Sequence, residues 1–119
     1  MKDTEVKQLL KSGGYPEHVW KGGKKGLVEK WSQFVAEVEA GYSLTIEDYR
    51  NDLDLRAIIA KVGMDGDVTE LDERFRQCLA FSAKAIWECD QPNAFWIYGY
   101  PKNAKGDLKK DLRAEGFVK

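Results

Sequence analysis

The sequence has one histidine, two cysteines and three prolines in 119 residues. No apolar run in it approaches the ~18 residues that a membrane span needs. Each scarcity excludes something. The single His18, with Glu17 beside it, has no H-x-x-x-H or H-E-x-x-H spacing, so it offers no zinc set. A catalytic triad needs a nucleophile, a base and an orienter, and one histidine in an N-terminal turn does not supply them. Cys78 and Cys89 lack the C-x-x-C spacing that lowers a thiol pKa, and a small secreted domain would usually carry several pairs. Both are expected to be reduced, small buried hydrophobes. The N-terminal stretch mixes charges with Val6, Leu9 and Leu10 and lacks the apolar core of a signal peptide, which suggests a cytoplasmic protein. Net charge is scarce too: 19 Lys+Arg stand against 20 Asp+Glu, for −1 overall. That balance argues against a dedicated nucleic-acid binder, and with 43% hydrophobic residues it argues against a disordered chain.

The length suits a single domain over residues 1–119. Helical periodicity dominates it. Val6, Leu9 and Leu10 predict a short helix over 3–11, and Pro16 is placed to start one turn over 15–20. Residues 21–26 (KGGKKG) read as a glycine-rich break before the next helix; they fail the G-x-x-x-x-G-K-[ST] pattern of a phosphate loop. Leu27, Trp31, Phe34, Val35, Val38 and Tyr42 mark one face of a long helix closed by Gly41. Thr45 is the expected cap of the following helix, whose apolar stripe runs Ile46, Tyr49, Leu53, Leu55, Ile58, Ile59 and Val62. Thr69 with Asp72 resembles a capping box for a fourth helix reaching about residue 81. Aromatic and branched runs at 85–89 and 95–100, around a turn at Asp90 to Asn93, predict a β-hairpin. A last polar helix over 105–115 turns Leu108 and Leu112 inward. The fold class expected is therefore mainly α (α+β): a bundle of four or five helices with one C-terminal β-hairpin at about 85–100, packed around Trp31, Phe34, Val38, Leu53, Ile58, Phe75 and Leu79.

The near-zero net charge hides a division. Residues 1–26 and 101–119 each hold six basic and three acidic residues, whereas residues 27–100 hold seven basic and fourteen acidic. Within the acidic middle, Asp52 and Arg56 stand in the favourable i, i+4 order, while Asp48 and Asp52 stack with like charge. Such a cost suggests a use, and an acidic surface around Asp48, Asp52 and Asp54 would steer a basic partner. The bland alternative is a set of solvated helix faces. Asp48 and Asp52 are also the only candidates found for acid–base work, which needs two groups whose environments push their pKa values apart. Asp65-x-Asp67-x-Thr69 begins like a calcium loop but has Glu70 at its sixth position and Arg76 at its twelfth. No metal or cofactor is expected. On a strand, Trp96, Tyr98 and Tyr100 would share one face, with Phe95 and Ile97 on the other. Exposed, that face would suit a protein partner or, with Lys102 and Lys105, single-stranded nucleic acid.

The run Gly13-Gly14-Tyr15-Pro16-Glu17-His18, with Gly22-Gly23, Trp31-x-x-Phe34-Val35, Val38-Glu39-x-Gly41-Tyr42 and Asp48-Tyr49-x-Asn51-Asp52-Leu53-Asp54-x-Arg56, resembles a group of small uncharacterised bacterial proteins over residues 10–60. The resemblance implies no activity, cofactor or site residue. The function expected first is a non-enzymatic protein-interaction module, inhibitor-like or immunity-like, that uses an acidic helical face. An enzyme or accessory subunit built on Asp48 and Asp52, and single-strand binding through the aromatic hairpin, are the alternatives.

Overall fold

The computed structural model describes residues 2–89 and 91–118. Among these, six α-helices and one two-stranded antiparallel sheet build the molecule. Helix α1 spans Asp3–Ser12, and α2 is the single turn Glu17–Trp20 with Pro16 at its N-cap. The long α3 (Gly23–Ala40) follows, then α4 (Ile46–Lys61), α5 (Thr69–Gln77), β1 (Leu79–Phe81), β2 (Gly99–Pro101) and α6 (Gly106–Ala114).

The stripes read from periodicity meet at one core. Leu27, Trp31, Phe34, Val35 and Val38 of α3 are buried, as are Tyr49, Leu53, Ile58 and Ile59 of α4 and Phe75 of α5. At the centre Phe34 lies within 5.3–5.8 Å of the rings of Trp31, Tyr42, Tyr49 and Phe75, distances at which offset and edge-to-face aromatic contacts are favourable. Leu108 and Leu112 of α6 close the core from the C-terminal side. Thr45 caps α4 as expected, in a full capping box with Asp48.

Four expectations give way. The glycine-rich stretch at 21–26 is not a break: α3 begins at Gly23, whose φ of +62° suits glycine, and the freed Lys24 N–H donates to Asp3 Oδ1 of α1 at 2.7 Å. Helix α5 ends at Gln77 rather than near 81, and the residues after it are extended. Thr69 does not cap it; its hydroxyl donates to the Gly66 carbonyl, and Asp72 points inward. The hairpin is present, but its strands are shifted. β1 pairs with β2 in the register Leu79↔Pro101, Ala80↔Tyr100 and Phe81↔Gly99. Residues 85–89 form no strand, with bends at Ile86 and Trp87, and Phe95–Ile97 is a 3-10 turn. Asp90, expected in the turn, lies outside the described residues.

Candidate functional site

Two surfaces and one interior cluster carry the residues that chemistry could use. On α4, Asp48 is first of all a cap. Its N–H donates to Thr45 Oγ1 at 3.1 Å, and its Oδ2 accepts from the Thr45 N–H at 3.3 Å. One turn on, half-buried Asp52 accepts the Tyr42 hydroxyl at 2.6 Å. Burial raises the Asp52 carboxyl above its ordinary pKa and the Asp48 charge adds to this, while the Tyr42 hydrogen bond opposes it. The Tyr42 hydroxyl is pushed well above its ordinary range by burial, by its bond to Asp52, and by the charges of Asp48 and Glu37. Neither Asp48 nor Asp52 enters an ion pair among the described residues. Asp54, grouped with them in the sequence, stands apart: it lines a different cleft with Tyr15, Lys30, Asn51 and Trp87. Acid–base work needs a carboxyl raised above its ordinary range and a cleft to enclose it, and burial raises the Asp52 carboxyl. An enclosing cleft is not met at Asp48, which is exposed.

The hairpin aromatics do not form the face that strand alternation predicts. Trp96 is only 2% exposed, with the Arg56 guanidinium 4.8 Å from its ring centre. Tyr100 is half-buried, 6.4 Å from Phe117, and Tyr98 alone is exposed, at 49%. The cause is local: Phe95–Ile97 coils into a 3-10 turn behind Asn93, whose φ of +61° reverses the chain. In place of that face, Phe81 stands 81% exposed and lines a shallow cleft of about 420 Å³ with Leu79, Phe95, Tyr98 and Arg76. The alternation Leu79-x-Phe81 is the sequence signal for this strand, and it is masked because Phe75, Cys78 and Leu79 also fit a helix.

The interior cluster was not visible in the sequence. Arg56, 2% exposed, does not pair with Asp52. Its Nε and Nη2 reach both carboxylate oxygens of Asp72, at 2.9 and 2.8 Å, and Nη2 also meets Asp65 at 2.8 Å. Trp31 Nε1 donates to the same Asp72 at 3.1 Å. Burial works against the Arg56 charge, and the bonds to Asp72 and Asp65 outweigh it, raising its pKa. The network ties α3, α4 and α5 together. It borders a cleft of about 450 Å³ with Thr69, Arg76 and Asn93 on its walls.

His18 is exposed on α2, and its carbonyl accepts from Lys30 Nζ. Both cysteines are free thiols, half-buried; burial raises the Cys78 pKa, and the Glu39 charge adds to it. Among the described residues no three His, Cys, Asp or Glu side chains are placed to hold a metal ion, and no helix is long and apolar enough to cross a membrane. Compared with protein-family models, curated proteins and solved structures, the chain matches none.

Proposed function

We propose that the protein is a non-enzymatic interaction module that takes a basic partner protein on the acidic face formed by Glu37, Asp48 and Asp52 around Tyr42. The observation that supports this reading is Asp52: a half-buried carboxylate beside a second carboxylate, raised in pKa, with no cation paired to it among the described residues. A partner ammonium or guanidinium would remove that penalty. Such a surface also speeds encounter with a cationic protein, as an inhibitor-like or immunity-like role requires.

A lysine-rich dodecapeptide serves as the probe against the 15N-labelled full chain. Amide shifts are expected to cluster on α4 and around Tyr42, and the affinity is expected to fall about ten-fold as salt rises from low to physiological levels. A double substitution, Glu37→Gln with Asp52→Asn, leaves the Thr45–Asp48 cap intact and is expected to weaken the peptide several-fold. Shifts scattered evenly over the surface, or binding indifferent to salt and to the double substitution, would refute the acidic-face reading.

A further inference from the structure

The geometry points to β1 as a docking edge for an extended, acidic segment of a partner protein. This surface is separate from the acidic face and does not depend on it. The parity of the ladder carries the inference. The Ser82 N–H donates to the Tyr98 carbonyl, and the Lys102 N–H donates to the Cys78 carbonyl. With Ala80 opposite Tyr100 in register, the bonded positions are Cys78, Ala80 and Ser82, the even-numbered residues in and beside β1. The peptide groups of Leu79 and Phe81 therefore turn away from β2, and among the described residues no hydrogen bond from elsewhere reaches them. The far side of β2 is closed by contrast. Pro101 has no N–H, its carbonyl accepts from Ala104, and Gly99 and Pro101 are buried. The sheet thus has one open edge, bearing two N–H groups and two carbonyls.

Side chains and charge define what fits it. Phe81, Leu79, Phe95 and Tyr98 give an apolar lining in which an alternate side chain of an added strand can lodge. The surrounding segments are basic. Residues 74–87 contain Arg74, Arg76 and Lys84 and no carboxylate, and residues 98–106 contain Lys102 and Lys105 and no carboxylate. Glu39 takes up Arg74, and Glu73 stands 3.9 Å from Arg76. Neither Lys84 nor Lys102 pairs with a carboxylate among the described residues; they reach the Glu115 and Gln77 carbonyls at 3.4 Å. A second copy of the chain would bring the same cations to this edge, so an acidic strand of another protein is the better complement. Alternating N–H and carbonyl groups match an extended peptide, whereas the phosphodiester groups of a nucleic acid offer them acceptors only.

The probe is an acetylated, amidated hexapeptide of alternating glutamate and valine, titrated into the 15N-labelled full chain. Strand addition is expected to slow hydrogen exchange at the Leu79 and Phe81 amides about ten-fold at saturation, since a ladder bond protects an amide from water. Methylating the peptide nitrogens that face β1, or replacing its glutamates with lysines, is expected to weaken binding about ten-fold. Phe81→Ser is expected to do the same with an unchanged helical signal, because the side chain is exposed. Four outcomes would overturn the proposal: no peptide binding, equal binding of the methylated peptide, unprotected Leu79 and Phe81 amides, or binding of a thymidine oligonucleotide in the peptide's place. Self-association that blocks the peptide would reassign the edge to a second copy and also overturn it.

Discussion

Arg56 brings a full positive charge to a site with 2% exposure and holds it there with two carboxylates and an aromatic ring. Removing one partner of a buried pair leaves an uncompensated charge. Arg56→Ala is therefore expected to cost about 3–5 kcal/mol in urea unfolding. Arg56→Lys should recover only part of that, because an ammonium cannot span both Asp72 oxygens as the planar fork does; full recovery would show that the fork geometry is irrelevant. The pairing was not legible in the sequence because Asp72 is sixteen residues away, while the helix rule knows only neighbours and favours Asp52. Asp52 has the opposite energetic sign. Its pKa is raised on folding, so the folded state holds that proton more tightly and the residue's contribution to stability falls as pH rises from about 4 through the folded value. Asp3 and Glu39 are lowered, chiefly by hydrogen bonds from the Lys24 N–H and the Arg74 side chain. They contribute at neutral pH and lose that contribution as pH falls. Asp52→Asn keeps an acceptor for Tyr42 and relieves the like-charge pair. It is expected to stabilise the protein by a few tenths of a kcal/mol at pH 7. The gain should vanish below about pH 4, where the parent carboxyl is protonated. A stability loss at pH 7 would show that the charge itself supports the fold.

The helical elements were the most legible, because each apolar stripe recurs over several turns and each buries against the others. Their ends were less so, and the start of α3 shows why. Glycine at three of six positions reads as a break, but Gly23 and Gly26 do different things. Gly23 has φ +62°, and a Cβ there would sit on the Asp3 carboxylate; Gly26 lies inside the helix with open space around it. Gly23→Ala is expected to cost about 1 kcal/mol or more through backbone strain. Gly26→Ala should stabilise by about 0.5–1 kcal/mol by reducing unfolded-chain entropy. Thermal unfolding of the two variants checks the sign, and shifts in the same direction would contradict the assigned helix start. The strands were misplaced for a different reason. Three-residue strands carry almost no alternation, and the richest β-forming run, at 95–97, is buried by tertiary contacts in a 3-10 turn. The Thr45–Asp48 cap and the stacking of Asp48 on Asp52 are legible because capping and helix spacing are local, whereas the cleft that Asp54 lines is not. The Phe81 edge was not, since its exposure is set by how the hairpin sits on α5.

Across the whole molecule, the connection that carries Tyr42 is held by the C-terminal helix as much as by α4. The connection from Gly41 to Thr45 presents Tyr42 to Asp52, and α6 anchors that connection: the Lys105 N–H donates to the Tyr42 carbonyl and the Asp107 N–H to the Ser43 carbonyl. Asp111 accepts the Ile46 N–H at 3.0 Å, and Arg50 pairs with Glu115 at 2.8 Å. Leu108 and Leu112 fix α6 in the common core, so the arrangement at Tyr42 depends on a helix more than sixty residues away in sequence. Leu112→Ala is expected to cost about 2–5 kcal/mol through lost burial and a residual cavity. Because α6 shares its core with α3 and α4, that loss should lower the stability of the entire chain instead of freeing the last helix. Tryptophan fluorescence, which includes Trp31 and Trp96 in the interior, and far-ultraviolet helicity should then unfold at one urea midpoint in the variant as in the parent. Separate midpoints would show that α6 melts alone, and the proposed acidic face would then be a surface that the protein assembles and releases independently of its core.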